Sequence, residues 1–324
     1  MKAIQITQTG GPEVLELRDL PTPSPGPREA LIQIEACGVN FIDVYFREGR
    51  YPAQLPLIPG QEAAGIVVAL GPWTALDSVK VGDRVAWCGV PGTYAQFAVA
   101  PVARLVKIPD GVSTKQAAGA MLQGMTAHYL SYSTYAIQPG DAVLIHAGAG
   151  GVGLLLIQIA KRLGARVLTT VSTEEKAALA LGAGADEVIL YTQEDFAARV
   201  RELTGGAGVA AVYDSVGKTT FEGSLMCLRR RGVMALFGGS SGAVPPFDPI
   251  VLTQKGSLFL TRPSLGNYIA TREELVARSG AVFGMMAAGK LKLRIAHTYP
   301  LAEAQRAHLD LEGRKTTGKL LLIP

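Results

Sequence analysis

From residue 141 to residue 262 the chain alternates short apolar runs with longer stretches at helical spacing. The runs 142–146, 166–171, 186–190, 209–213 and 232–237 read as strands. The stretches 152–163, 174–182, 194–203 and 219–229 repeat their apolar positions every three to four residues and read as helices. Alternation of this kind builds βαβ units and a doubly wound parallel sheet. A last apolar run, Ser257 to Thr261, ends the series. The N-terminal part has another texture. Ala30 to Ala36, Gly65 to Leu70 and Arg84 to Trp87 are short alternating or apolar runs separated by Gly, Pro and Asp turns, so this part reads as β-rich. Gln116 to Tyr132 has helical spacing. After Pro263 come one helix, Arg272 to Ala288, and two short strands, Arg294 to Thr298 and Lys319 to Ile323. These cannot close a core of their own and are expected to return to the N-terminal domain. The expected division is 1–122, 123–262 and 263–324, the first and last parts forming one domain. No internal repeat or low-complexity segment interrupts it.

Composition bounds the class. The 324 residues are 48% hydrophobic and 18% charged, which fits a folded globular protein with ample core. No apolar run approaches the ~18 residues that would span a bilayer. Met1 to Thr7 alternates like a strand and lacks the apolar centre of a signal peptide, so a cytoplasmic protein is expected. Three cysteines, Cys37, Cys88 and Cys227, give no disulfide framework. The net charge of +4 is mild. The dense basic run Arg229-Arg230-Arg231 reads as a solvated helix end, and no interleaved aromatics support a nucleic-acid surface.

The chemistry concentrates between residues 142 and 176. The strand 142–146 runs into Ala147-Gly148-Ala149-Gly150-Gly151-Val152-Gly153, and an apolar helix follows. Gly148, Gly150 and Gly153 have G-x-G-x-x-G spacing. Such glycines allow a tight turn, close approach of backbone to a pyrophosphate, and close packing of helix on strand. Phosphates then sit on the free N–H groups of the helix N-terminus, here Gly151, Val152 and Gly153. The bare motif is weak in a chain with 38 glycines, and a glycine-rich turn that binds nothing is the alternative. The strand before, the helix after and the next strand on schedule favour a dinucleotide site. An NAD site carries Asp or Glu about 20 residues on, for the ribose 2′-OH. Thr170-Val171-Ser172-Thr173 stand there instead, with Lys176 one helical turn on. Ser172, Thr173 and Lys176 suit a 2′-phosphate, which selects NADPH. Alternatively Ser172 caps the next helix and Glu175 completes a capping box.

Further segments carry a family resemblance over the whole length. They are Ala36-Cys37-Gly38-Val39-Asn40-Phe41-Ile42-Asp43, Tyr51-Pro52, Pro59-Gly60-Gln61-Glu62-Ala63-Ala64-Gly65, the glycine loop, Tyr213-Asp214-Ser215-Val216-Gly217 and Thr261-Arg262-Pro263-Ser264-Leu265. With these the chain resembles the zinc-independent quinone oxidoreductases of the medium-chain dehydrogenase/reductase superfamily. The resemblance implies a GroES-like β-rich catalytic domain beside a Rossmann domain, an active site in the cleft, and a homodimer joined through the edge strand 257–261. It places Asn40, Tyr45 and Tyr51 at the substrate. It adds Thr126, Tyr191, Ser215, Phe237, Gly238, Ser240, Leu260 and Arg262 to the cofactor contacts.

The same resemblance argues against a metal. Zinc-dependent members hold catalytic zinc with Cys, His and Cys where this chain has Cys37, Gln61 and Leu122. A catalytic site needs about three protein ligands, and glutamine and leucine do not supply them. The cysteine lobe for structural zinc is also missing, and the four histidines show no ligand spacing. Cys37 reads as a small buried hydrophobe. Without a Lewis acid the acceptor must take hydride through its own conjugation, so a quinone or conjugated carbonyl is expected. Asn40, Tyr45 or Tyr51 would donate hydrogen bonds to its oxygen. The rivals are a 2-alkenal or enoyl reductase on the same scaffold and, in another class, an RNA-binding or structural crystallin-like protein.

Overall fold

In a computed structural model, residues 1–74 and 79–324 are described, and they form two units. Unit 1 comprises Met1–Met125 and Ile269–Pro324, and unit 2 comprises Thr126–Tyr268. Among the described residues no helix is long and apolar enough to cross a membrane.

Unit 2 is a six-stranded parallel sheet with helices in its connections. Its spatial order is Glu187–Leu190, Arg166–Val171, Ala142–His146, Val209–Asp214, Leu228–Leu236, Phe259–Thr261. Counted along the chain this is 3-2-1-4-5-6, in which the winding direction reverses between the first and fourth strands. Ligands of such sheets bind outside the carboxyl ends at that reversal. The central strands are buried on both faces, so they read as unbroken apolar runs rather than alternating ones. Leu144, Leu168, Val212 and Met234 pack in one core with Phe221 and Leu225 of the covering helix. Each such fully buried side chain contributes about 1.5–3 kcal/mol relative to exposure.

The structure departs from the sequence reading around the arginine run. The helix stops at Cys227, and Leu228 is already extended and paired with Val209. Arg229-Arg230-Arg231 are therefore exposed residues of a strand, not a helix end. Arg231 takes φ 57°, a left-handed turn that shifts the register between Val209 and Ala211. Its N–H is satisfied by Gly256 O at 2.9 Å. A local kink of this kind leaves no mark in hydrophobic periodicity. The edge strand is also shorter than its apolar run, Phe259–Thr261.

Unit 1 is built on a long strand, Glu29–Val39, that pairs with three others. Glu62–Leu70 and Phe97–Pro101 lie antiparallel to it. The chain's last strand, Lys319–Ile323, also lies antiparallel, with Leu320 opposite Val39 and Leu322 opposite Cys37. Ile32, Val67, Trp87, Tyr94, Leu320 and Leu322 share its core. A short helix, Phe41–Arg47, begins directly after the long strand. A second helix, Ala304–Glu312, had no clear apolar signal because it buries only Ala304, Ala307 and His308. The helix foreseen over 116–132 is Thr114–Tyr129, followed by a π-helical turn at Leu130–Thr134.

Candidate active site

The glycine loop has the geometry its spacing requires. Ala147, directly after the strand, takes a left-handed conformation, φ 55°. A Cβ on Gly148 would lie 2.1 Å from Thr169 Oγ1, and one on Gly153 would lie 2.3 Å from the backbone oxygen of Ala147. The loop is thus pressed against the second strand, and the helix against the loop. The helix Gly151–Arg162 begins from Gly150, which offers no side chain to cap it. Its first-turn N–H groups are therefore open to an anion.

At the end of the second strand, Lys176 Nζ donates to Ser172 Oγ at 3.2 Å. The helix cap is Thr173, whose Oγ1 accepts from Lys176 N at 3.4 Å, so Ser172 is not the cap. Glu175 turns to the Thr173 hydroxyl, which with its own backbone N–H holds its carboxyl below the usual range. The carboxylate is occupied at the cap, and Ser172 with Lys176 forms a hydroxyl-ammonium pair where an NAD site would show an acid. The donor set fits a 2′-phosphate.

Most of the remaining expected cofactor residues of unit 2 lie just past strand ends. Tyr191 follows Glu187–Leu190, is exposed, and donates its N–H to Val171 O at 3.2 Å. Ser215 follows Val209–Asp214, and Phe237, Gly238 and Ser240 follow Leu228–Leu236. A Cβ on Gly238 would meet Ser215 O at 2.4 Å, so these two loops are packed backbone to backbone. Leu260 lies in the edge strand, and Arg262 beyond it donates to Leu236 O at 3.0 Å. Thr126 is buried on the helix Thr114–Tyr129.

In unit 1, Asn40 lies at the start of the helix Phe41–Arg47 and is 4% exposed. Its amide is engaged at both ends. Nδ2 donates to Glu62 Oε1 at 2.8 Å and to Gly38 O at 3.4 Å. Oδ1 accepts from Lys319 Nζ at 2.8 Å and from Gln123 Nε2 at 3.2 Å. An ammonium only donates and a carboxylate only accepts, so these partners fix which end of the amide is which. The Asn40 amide, expected to donate to substrate, thus links two buried charges. Those charges, Lys319 and Glu62, pair directly with neither side chain exposed. Glu62 Oε2 also accepts the Leu122 N–H at 2.7 Å, and Lys319 Nζ also donates to Val39 O at 3.3 Å. One buried ion pair thereby joins the long strand, the next strand, the helix Thr114–Tyr129 and the last strand.

A second buried chain starts at the Asn40 backbone. Asp43 Oδ2 accepts the Asn40 N–H at 2.8 Å and the Tyr94 hydroxyl at 3.1 Å. Tyr94 Oη lies 3.2 Å from His308 Nε2, and Arg47 Nη1 lies 3.1 Å from His308 Nδ1. Arg47 in turn pairs with Glu312 at 2.6 Å. Burial pushes the Asp43 carboxyl up to about 7, against the lowering by the Asn40 N–H. Burial, with the Arg47 charge, pushes His308 down to about 3. Sequence reasoning missed Asp43, Glu62, Gln123, Lys319 and His308. The available signal was a lone charge within an apolar strand, as in Glu62-Ala63-Ala64 and Lys319-Leu320-Leu321-Leu322.

The two expected phenols differ in setting. Tyr45 is buried and Tyr51 is exposed, and their rings meet edge to face at 5.4 Å between centroids. The Tyr51 N–H donates to Tyr45 O at 3.2 Å, which holds the pair together.

A zinc ligand set does not fit these residues. Cys37 is wholly buried with Sγ directed to Leu322 O at 3.6 Å, and burial raises its thiol far above the usual range. Gln61 and Leu122 provide no thiolate or imidazole. Among the described residues no group of three His, Cys, Asp or Glu could hold a metal ion.

Comparison with known proteins settles the family. Residues 26–110 match the alcohol dehydrogenase GroES-like domain, and residues 151–277 match the zinc-binding dehydrogenase family. A quinone oxidoreductase of Pseudomonas aeruginosa is 47% identical, covering 100% of this chain and 99% of that one. The chain belongs to the quinone oxidoreductases of the medium-chain dehydrogenase/reductase superfamily. A mycobacterial protein solved in complex with NADPH superposes with a TM-score of 0.98 at 52% identity, covering 100% of both chains. A 2-haloacrylate reductase of Burkholderia is 43% identical over 99% of this chain and 98% of its own. Unit 1 thus carries the GroES-like domain, and unit 2 the Rossmann domain. The stretch matching the zinc-binding dehydrogenase model holds one cysteine, Cys227, and no histidine.

Proposed function

We propose that this quinone oxidoreductase family member is a cytoplasmic, zinc-independent NADPH:quinone reductase. The carrying observation is the Ser172–Lys176 pair at the position where an NAD site holds an acid. NADPH, when bound, supplies the hydride. Gly151, Val152 and Gly153 receive its pyrophosphate on their N–H groups, and Ser172 and Lys176 receive the 2′-phosphate beside Thr173, whose hydroxyl caps the helix. Thr126, Tyr191, Ser215, Phe237, Gly238, Ser240, Leu260 and Arg262 complete its contacts.

On the substrate side, the Tyr45 and Tyr51 phenols donate to the developing oxyanion, and Asn40 acts by holding the segment that carries them. Donors aimed at such an oxygen are worth about 2.7–4 kcal/mol each in other enzymes. The acceptor carries its charge through conjugation, because no Lewis acid is supplied by Cys37, Gln61 and Leu122. Three buried free thiols fit a reducing compartment. The edge strand Phe259–Thr261, with Phe259 61% exposed, fits pairing with a second copy and hence a homodimer.

The test is a panel of quinones, enals, enoyl thioesters, 2-haloacrylate, simple ketones and alcohols with NADPH and NADH, in chelator. Quinone reduction with NADPH, without alcohol oxidation, is the expected outcome. Alcohol oxidation lost on chelation would overturn it. The 43% identical 2-haloacrylate reductase supports a second reading, reduction of a conjugated acid. Turnover of 2-haloacrylate without any quinone would select that reading.

A further inference from the structure

Unit 2 holds a second buried polar chain, and it spans the point where the sheet reverses. His146 is the last residue of the first strand, and Asp214 is the last residue of the fourth, its neighbour. Both are buried, 1% and 0% exposed. His146 Nδ1 lies 2.8 Å from Thr170 Oγ1, and Nε2 lies 2.9 Å from Ser224 Oγ. Ser224 Oγ lies 2.9 Å from Asp214 Oδ2.

The direction of every bond in this chain can be deduced. Asp214 Oδ1 accepts the N–H groups of Val216 at 2.7 Å and Gly217 at 3.0 Å. Oδ2 accepts the hydroxyls of Thr220 at 2.7 Å and Ser224. Ser224 has one hydroxyl proton, and it goes to Asp214. Ser224 Oγ must then accept from His146, which places a proton on Nε2. Burial lowers the affinity of His146 for a second proton, against the Asp214 charge. The imidazole is neutral, Nδ1 is an acceptor, and Thr170 donates to it. The chain runs one way, from the Thr170 hydroxyl through His146 and Ser224 to Asp214.

Its two ends hold two loops. At one end the Thr170 carbonyl accepts the Gly148 N–H at 3.1 Å, inside the glycine loop. At the other, Asp214 caps the loop Ser215–Gly217. That loop is tied to the next: Ser240 N–H donates to Ser215 O at 3.2 Å and Ser241 N–H to Val216 O at 2.9 Å. We infer that Asp214 and His146 are positioning residues of the cofactor site, one polarised hydrogen-bond chain fixing the glycine loop against the loops at 215–217 and 237–240. The inference rests on the reading of unit 2 as an NADPH site.

Asp214→Asn tests it with a readout that general loosening does not produce. Asparagine has one acceptor oxygen for four donors. If that oxygen keeps the Val216 and Gly217 N–H groups, the new NH2 faces Ser224 and Thr220. Ser224 must then accept, turn its proton toward His146 Nε2, and drive the imidazole proton to Nδ1. Nitrogen-15 NMR of the full chain should show His146 as the Nε2–H tautomer in the wild type and as the Nδ1–H tautomer in the variant. NADPH titration by fluorescence should show Kd raised about tenfold or more, the scale of one lost buried hydrogen bond or two. The ratio of NADPH to NADH affinity should stay unchanged, because no bond of the chain is made to Ser172 or Lys176.

Ser224→Ala cuts the chain but keeps the Asp214 cap. It should raise the NADPH Kd about threefold to tenfold and covers the case in which Asp214→Asn fails to fold. Unchanged NADPH Kd in both variants, or in Ser224→Ala where the other does not fold, overturns the positioning role. A wild-type Nδ1–H tautomer overturns the deduced direction. Failure of the cofactor reading looks different: the wild type itself would bind neither NADPH nor NADH, and the inference would fall with it.

Discussion

The two units each bury a polar network, and they do it in opposite ways. In unit 1 the network is charged: Lys319 and Glu62 are fully buried, and the Asn40 amide bridges them. In unit 2 it is a directed chain of neutral groups, Thr170, His146 and Ser224, ending on one carboxylate. A buried ion pair is costly to desolvate and is worth keeping only when its hydrogen bonds are complete. Here Lys319 and Glu62 draw four chain segments together at the segment bearing Asn40 and Tyr45. The neutral chain costs less to bury, and it instead fixes the approach of two loops at strand ends. The difference teaches that burial alone does not mark a catalytic group. Asn40 is as buried as His146, and both of its amide ends are already taken.

The sharpest way to break this comparison is to remove one charge in unit 1. Lys319→Met or Glu62→Leu alone should destabilise the protein by about 3–5 kcal/mol, because the partner stays buried and unpaired. The double variant Glu62→Leu/Lys319→Met should recover most of that loss, as read by urea unfolding. A double variant as unstable as either single one would show that the two do not act as a pair.

Next in size is the grip on the 2′-phosphate. Lys176→Ala should weaken NADPH by about 1.5–3 kcal/mol, roughly ten- to a hundredfold, and barely alter NADH. Titration of both dinucleotides reads this, and equal losses would refute the assignment. Gly153→Ala adds a Cβ at 2.3 Å from the backbone oxygen of Ala147, which cannot swing aside as a side chain can. Thermal unfolding should show a loss of about 1–3 kcal/mol, with weaker binding of both dinucleotides. An unchanged midpoint would mean that the loop yields.

The smallest effect is a slope with pH. The folded pKa of His308 is depressed to about 3 from an ordinary 6.5. Its contribution is present above pH 6.5 and is lost as pH falls toward 3, since only the unfolded chain takes up the proton. Asp43 runs the other way, favouring the fold below its unfolded value of 3.8 and losing that as pH rises through about 7. The two oppose each other between these limits. Replacing His308→Gln should therefore reduce the loss of stability on acidification, by at most about 1.4 kcal/mol per pH unit. Urea midpoints at pH 7, 6 and 5 would reveal it, and parallel curves for the two proteins would contradict it.

The glycine loop and the Ser172–Lys176 pair were legible because their signals are local. Glycines at 148, 150 and 153 act on backbone within the same turn, and Ser172 meets Lys176 across one turn of helix. The parallel sheet followed from alternating runs whose strands are apolar throughout. Where the chain kinks at Arg231, or caps a helix one residue later at Thr173 than at Ser172, the difference lies in a single dihedral or hydroxyl. Hydrophobic spacing does not encode that.

By itself, then, the sequence determined the order of strands and helices along the chain, the dinucleotide loop and the absence of an acid at the ribose position. Each of these depends on residues a few positions apart. Only the tertiary structure decided that Asn40 belongs to Lys319 and Glu62, partners 279 and 22 residues away. It also decided that His146 reaches Ser224, 78 residues on. The physical reason is that a buried polar group must find a partner wherever the fold brings one, and pairing across that span leaves no periodic trace in the chain.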